Sequence, residues 1–203
     1  MKKNTKIGVI GAGLMGPGIA QIFASHGYSV TVFGSDREIL AKIPEKIRNN
    51  FNVFVELNMV SEDDVEQCLA NIHLSDSLKD LSKEVHVIIE AISENLNIKR
   101  KLFSELEQYV PQDAILCTNT SSISITEISE ALDHKARFLG THFWNPPHIM
   151  PCVEVIKGRY TSDTVFETIF ELMKKVNKKP VRVLKDIPGF IAVSYTHLRA
   201  HET

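Results

Sequence analysis

Apolar residues along this chain gather in short continuous runs, separated by longer stretches with helical spacing. The runs Lys6–Ile10, Tyr28–Phe33, Asn71–Ser75, Val85–Ala91, Ala114–Thr118, Arg137–His142, Cys152–Ile156 and Pro180–Leu184 predict strands. Val85-His-Val-Ile-Ile-Glu-Ala91 is nearly continuous in apolar residues, the pattern of a strand covered on both faces. Between the runs, Ile19, Ile22 and Phe23 share one side of a helix that stops at His26-Gly27. Asn95–Tyr109 and Thr164–Val176 read as helices as well. Asp36 reads as a helix cap, and Pro44 either kinks that helix or begins a new one. Ile47, Phe51, Phe54 and Val55 recur at helical spacing, and Ser61-Glu-Asp-Asp64 is a capping-box pattern. A second such pattern is Ser124-Ile-Thr-Glu127. Residues 36–70 are therefore a helical pair, longer than a crossover needs, and are taken as an inserted helical arm with its apolar stripe as core. Strands alternating with helices give an α/β fold with a doubly wound, mostly parallel sheet.

The first strand runs into Gly11-Ala12-Gly13-Leu14-Met15-Gly16, and a helix follows at once. Strand, glycine turn and helix together are the context in which such glycines bind a dinucleotide. Gly11 allows the tight turn, Gly13 lets the backbone approach a pyrophosphate, and Gly16 lets the helix pack close to the strand. The pyrophosphate would sit on the helix N-terminus, bordered by Leu14 and Met15, where free N–H groups and the helix dipole favour an anion. The alternative is a glycine-rich turn that binds nothing.

Composition narrows the class. The 203 residues are 43% hydrophobic and 24% charged, as in an ordinary globular protein. A net charge of -2 gives no reason to expect nucleic acid or an anionic membrane as partner. Cys68, Cys117 and Cys152 are too few and scattered for a disulfide framework, and none lies in a CxxC, so no metal site is expected. They read as reduced thiols of a cytoplasmic protein. No run is long enough to span a bilayer.

Oxidising an alcohol requires a base for the hydroxyl proton and donors for the developing oxyanion. His142 stands at the C-terminal end of a predicted strand, the edge where ligands bind in open α/β sheets. Phe143-Trp144-Asn145-Pro146-Pro147 follows, a rigid turn with an amide side chain. Glu154 lies inside the apolar strand Val153-Glu-Val-Ile156, where a carboxylate should be buried and paired. A His–carboxylate pair there is one reading; a core histidine and a solvated edge glutamate are the other. Asn119-Thr-Ser-Ser122 follows another strand and either lines the same edge or forms an ordinary turn. Glu94 and Lys99 either reach a nicotinamide ribose or form a surface ion pair.

Taken in order, Gly11–Gly16, Glu90-Ala-Ile-Ser-Glu-Asn95, Asn119–Ser122, His142-Phe-Trp-Asn-Pro146, Val153-Glu154 and Pro188-Gly-Phe-Ile191 resemble the NAD-binding domain of the L-3-hydroxyacyl-CoA dehydrogenase family. The resemblance covers residues 5–192 and implies a Rossmann-type fold. It makes His142 the general base, Glu154 its orienting partner and Ser121 a hydrogen-bond donor to the substrate oxygen. Asn145 would help order the site, and Ala91, Glu94, Lys99 and Asn119 would border the cofactor. The arm resembles the family's acyl-CoA-contacting arm, where Lys42, Lys46 and Arg48 either meet coenzyme A phosphates or form a solvated face. The longer enzyme of the family would be a homodimer acting on an acyl-CoA or related 3-hydroxy acid.

Two departures stand out. The family carries an acidic residue at the end of the second strand to hold the ribose 2′-OH; this chain has Gly34, then Ser35, Asp36 and Arg37. Gly34, Ser35 and Arg37 would not repel a 2′-phosphate, so NADP is open beside NAD, the expected cofactor. The family also continues Pro-Gly-Phe-Ile with an asparagine and a helical domain. Here Val193 occupies that position, and residues 193–203 lack apolar periodicity and read as a non-native tail. The expected organisation is a dinucleotide-binding domain over 1–192 with the C-terminal helical domain missing and little turnover. Other readings are a binding module without catalysis and, because of Phe143–His148, a relative acting on a different 3-hydroxy acid. A β-hydroxyacid dehydrogenase of the 3-hydroxyisobutyrate type is disfavoured by the His142–Glu154 arrangement.

Overall fold

A computed structural model describes residues 5–187, 189 and 190. Every predicted run forms a strand: β1 Lys6–Ile10, β2 Ser29–Phe33, β3 Ile72–Ser75, β4 Val87–Glu90, β5 Ile115–Thr118, β6 Phe138–Phe143, β7 Cys152–Ile156 and β8 Lys179–Val183. They build one sheet in the order β3-β2-β1-β4-β5-β6-β7-β8. β3 through β6 are mutually parallel, while β7 runs antiparallel to β6 and β8 parallel to β7. The chain winds outward from β1 to β3, then crosses back to place β4 on the other side of β1. The C-terminal ends of β1 and β4 therefore border the crevice where the winding reverses.

Both faces of the sheet are covered, which explains the continuous apolar runs. Val87 and Ile89 pack in a core with Ile19 and Phe23 of α1 (Gly16–Ala24). Ile88 and Leu116 pack in the opposite core with Phe103 and Leu106 of α6 (Leu96–Leu106).

The arm region comprises α2 (Arg37–Ala41), α3 (Ile43–Glu56) and α4 (Glu62–Ala70). Asp36 caps α2, accepting from Glu38 N and Ile39 N. Pro44 starts α3 rather than kinking its predecessor, because a proline in the first turn forfeits no intrahelical bond. The box at Ser61 and Asp64 forms reciprocally at the start of α4. Ile43, Ile47 and Phe51 join the core beside α1, whereas Val53, Leu57 and Met59 at the far end of α3 are 60%, 63% and 67% exposed.

Two helices complete the layers, α7 (Ile125–Ser129) and α8 (Asp163–Lys175). A short α5 (Leu78–Ser82) between β3 and β4 escaped the sequence pattern because five residues carry too little periodicity. At α7, Ser124 Oγ accepts from Glu127 N, but the carboxylate serving that helix start is Asp186. It takes the Ile125 and Thr126 N–H groups at 3.0 and 2.7 Å, tying the end of the described chain to the sheet edge. Pro188, Ile191, Val193 and the tail over 193–203 lie outside the described residues. Among the described residues, no helix is long and apolar enough to cross a membrane.

Candidate active site

The glycine turn closes as tightly as its sequence requires. Gly11 has φ 121°, and a Cβ there would fall 2.4 Å from Ala91 O. At Gly16 a Cβ would lie 1.8 Å from Gly11 O, so only glycine lets α1 begin this close to β1. Gly13 faces open space: its Cβ would meet nothing within 4 Å. No side chain caps α1, leaving its first N–H groups without a side-chain partner. An open approach, uncapped donors and the helix dipole fit a pyrophosphate. Leu14 is 79% exposed beside them. From α3, Lys46 Nζ reaches Ala12 O at 3.3 Å, while Arg48 pairs with Glu66.

A cavity of about 270 Å³ extends from this turn over Phe33, Gly34, Ser35, Asp36, Ala91 and Ser93. Gly34 has a packing reason: a Cβ would lie 2.9 Å from Ala12 Cβ and 3.4 Å from Leu40 Cδ1. Among the described residues, Asp36 is the one charged residue lining this cavity. Its Oδ1 serves as the α2 cap. Arg37 does not line it; its guanidinium pairs with Asp76 at 2.6 Å. Of the residues that could have made a 2′-phosphate pocket, only Gly34 and Ser35 are therefore at the wall.

A second cleft, about 300 Å³, is lined by Met15, Asn119, Ser121, His142, Trp144 and Asn145. The antiparallel register sets His142 opposite Glu154. Side chains of a directly opposed pair share a face, so the two meet: Nδ1 lies 2.7 Å from Glu154 Oε2. The pair is buried, His142 at 8% and Glu154 at 1% exposure, so Glu154 is not a solvated edge residue but the partner of a histidine at the cleft wall. An ionised carboxylate can only accept, so Nδ1 carries the proton. Nε2 lies on the far side of the ring from this bond. Phe190 packs with its ring centre 6.0 Å from that of His142. Asn119 Oδ1 accepts from Phe143 N at 2.8 Å, locking the end of β5 to the end of β6. The Asn145–Pro146 bond is cis.

Glu94 and Lys99 do not form a plain surface ion pair. Lys99 is 1% exposed, and its Nζ pairs with Glu90 at 2.5 Å, not with a surface partner. Glu94 Oε2 is 3.6 Å from that ammonium. Glu94 Oε1 gathers the Thr120 hydroxyl and the Ser121 and Ser122 N–H groups at 2.5, 2.9 and 3.0 Å. Burial pushes the Glu94 carboxyl up, but these bonds and Lys99 outweigh it and hold it below the ordinary carboxylate range. Glu94 thus shapes the loop that carries Ser121. Sequence reasoning missed Glu90 as a site-building residue, although a carboxylate inside Val85–Ala91 is the same signal that singled out Glu154. Trp144 lines the cleft and also received no role.

Residues 6–187 match the family model described as 3-hydroxyacyl-CoA dehydrogenase, NAD binding domain. A 3-hydroxybutyryl-CoA dehydrogenase of Clostridioides difficile is 39% identical over 186 residues, spanning 92% of this chain and 66% of that protein. The mitochondrial hydroxyacyl-coenzyme A dehydrogenase of Homo sapiens is 38% identical over 188 residues, spanning 90% of this chain and 60% of that protein. The crystal structure of the (S)-3-hydroxybutyryl-CoA dehydrogenase of Ralstonia eutropha superposes with a TM-score of 0.93 at 33% identity, covering 98% of this chain and 70% of that one. The chain therefore spans about two thirds or less of the length of these curated relatives. With its glycine turn, its switch-point crevice and its His–Glu pair at the strand ends, this chain belongs to the NAD-binding domain family of the 3-hydroxyacyl-CoA dehydrogenases.

Proposed function

We propose that this chain carries the cofactor-binding and proton-abstracting half of an enzyme that oxidises a 3-hydroxyacyl-CoA, or a related 3-hydroxy acid, to the 3-keto compound. His142 is the general base. With Nδ1–H held by Glu154, its Nε2 takes the proton of the 3-hydroxyl. Glu154 fixes the tautomer and stabilises the imidazolium that results. A nicotinamide held at the glycine turn would supply the hydride acceptor for C3. Ser121 donates to the substrate oxygen, and Asn145, which lines the same cleft, helps order the site. Asn119 and Ala91 border the cofactor, Glu94 holds the Ser121 loop against it, and Lys99 acts from below through the Glu90 and Glu94 carboxylates.

NAD is the cofactor this arrangement favours over NADP. A 2′-phosphate in the cavity at Gly34 would face the Asp36 carboxylate, with Arg37 engaged on Asp76 instead. The observation that carries the whole reading is the buried His142–Glu154 pair on a cleft that also holds Met15 of the glycine turn. It is tested by mixing the chain with NAD and 3-hydroxybutyryl-CoA and following NADH formation, with His142→Asn as control. Slow NADH formation by the wild type, in keeping with the little turnover expected of this chain, and none by the variant is the expected result. Equal rates in both would overturn the role of His142. NADH binding with no turnover in either would leave the chain a dinucleotide-binding module.

A further inference from the structure

The turn after His142 is gripped from two sides. Residues 144–151 bring Trp144 and Asn145 to the cleft wall and include Pro146, Pro147 and Pro151, which contribute no N–H. Within the turn, Ile149 N and Met150 N both donate to Pro146 O, at 3.1 and 2.9 Å. The carbonyls of Pro147 and Met150 are taken by a side chain from far along the chain, the Lys178 ammonium, at 2.6 and 2.9 Å. Lys178 is 9% exposed. It reaches this place because Asn177, just past α8, adopts φ 58° and redirects the chain, after which Lys179 N donates to Pro151 O. On the other side the turn lies directly on α1. A Cβ on Gly18 would sit 2.6 Å from Pro147 Cγ.

The cation has an unusual setting. It borders a cavity of about 260 Å³ whose titratable lining, among the described residues, is His26, His148 and Lys178 itself, with no carboxylate. Nearby on β7 stand Cys152 and Glu154, the latter engaged with His142. Burial pushes Lys178 down to about 8. His148 lies below its ordinary range, through burial first and the neighbouring Lys178 second. Two carbonyl dipoles stand in for a counter-ion. For stability alone, an apolar side chain would fill this space at less desolvation cost. What the ammonium adds is direction, since charge-assisted bonds are short and fix their acceptors.

We propose that Lys178 is a positioning residue of the cleft, fixing through Pro147 O and Met150 O the turn that sets Trp144 and Asn145 beside His142. Its value to the reaction rests on the dehydrogenase reading, but its hold on the turn is testable without cofactor or turnover. Trp144 is the chain's single tryptophan, so its fluorescence reports on this turn alone. Loss of the Lys178 proton removes the charge and one N–H. Because an unfolded lysine titrates near ~10.4, the unfolded state binds more protons above the folded value, so folding is not weakened as pH rises through this window. A change in Trp144 emission there is therefore local.

The experiment is Trp144 emission from pH 7 to 9 for the wild type, Lys178→Arg and Lys178→Met, with circular dichroism to monitor the fold. The wild type should show a transition with a midpoint near 8. Lys178→Arg should keep the wild-type spectrum of pH 7 and lose the transition, because a guanidinium does not titrate there. Lys178→Met should give an altered spectrum with no transition. His148 titrates below this window and the Cys152 thiol, pushed up by burial, above it. A transition surviving in Lys178→Arg, a flat wild type, or a Lys178→Met spectrum matching the wild type at pH 7 overturns the proposal. If Lys178→Met fails to fold, the wild type and Lys178→Arg decide. An NADH titration of the wild type tests the dinucleotide reading separately, so either failure is recognisable.

Discussion

Glu90 and Glu154 are both carboxylates inside apolar strands, 0% and 1% exposed, and each is paired with a basic side chain. Their partners differ in what they leave open. Glu90 accepts from Lys99 Nζ at 2.5 Å, Ile92 N at 2.7 Å and Thr118 Oγ1 at 2.5 Å, and the lysine side chain is 1% exposed. That network pins β4, β5 and α6 together inside the core and meets the loop at Ser121 only through Glu94, 3.6 Å from the same ammonium. Glu154 holds a ring whose side chain is 11% exposed at a cleft wall, with one nitrogen on the far side of the bond. The same device, a carboxylate buried on a strand, builds scaffold in one place and, in the proposed function, orients the base in the other. The difference is whether the partner side chain is sealed in the core or reaches a cleft.

The comparison breaks most visibly at Lys99. Lys99→Met leaves the Glu90 charge buried without its cation and should cost about 3–5 kcal/mol. In a domain of this size that is a fall of roughly 6–20 °C in Tm. Thermal or urea unfolding reads it, and a loss under about 1 kcal/mol would mean that Glu90 takes up a proton or water instead. Next is Gly16→Ala, which drives a methyl into Gly11 O. It should cost about 1–3 kcal/mol by the strain of overpacking and sharply weaken NADH binding by displacing the turn. Unaltered NADH affinity would detach cofactor binding from this turn.

Glu154→Gln sharpens the contrast. The amide oxygen can still accept from Nδ1–H, so stability should fall by only about 1 kcal/mol, and NADH affinity should hold. In an enzyme competent for turnover, the rate should drop about 10²–10⁴-fold, the span of general base catalysis. A stability loss as large as that of Lys99→Met would make the pair scaffold after all. The smallest effect is at Glu94, whose carboxyl is held below its ordinary range in the folded state. Its contribution is present above the unfolded value of ~4.3 and is lost as pH falls through the folded value. Glu94→Gln should flatten the acid limb of the stability curve by lowering stability modestly above about pH 5 while leaving it little changed at the acid end, as unfolding at several pH values would show.

What could be read from sequence follows the same divide. The strands were legible because buried parallel strands leave continuous apolar runs, and Glu154 because a charge in such a run needs a partner. Glu90 gave the same signal, yet sequence spacing could not tell whether Lys99 on the following helix turns toward Glu90 or Glu94. The missing acid at Gly34 was legible, but the closeness of Ala12 Cβ to that position depends on how two turns nest in space. Asp186 on α7 and Lys178 beneath the proline turn act across 60 to 62 and 28 to 31 residues, and no periodicity announces contacts of that range.

The most direct measurement is a fluorescence titration of the chain with NADH and, in parallel, NADPH. The account predicts saturable binding of NADH, with NADPH weaker because Asp36 is the charge that faces the ribose cavity. Tighter NADPH binding would contradict the assigned cofactor preference. Binding of neither by a folded chain would contradict the dinucleotide site itself, and with it the role given to His142.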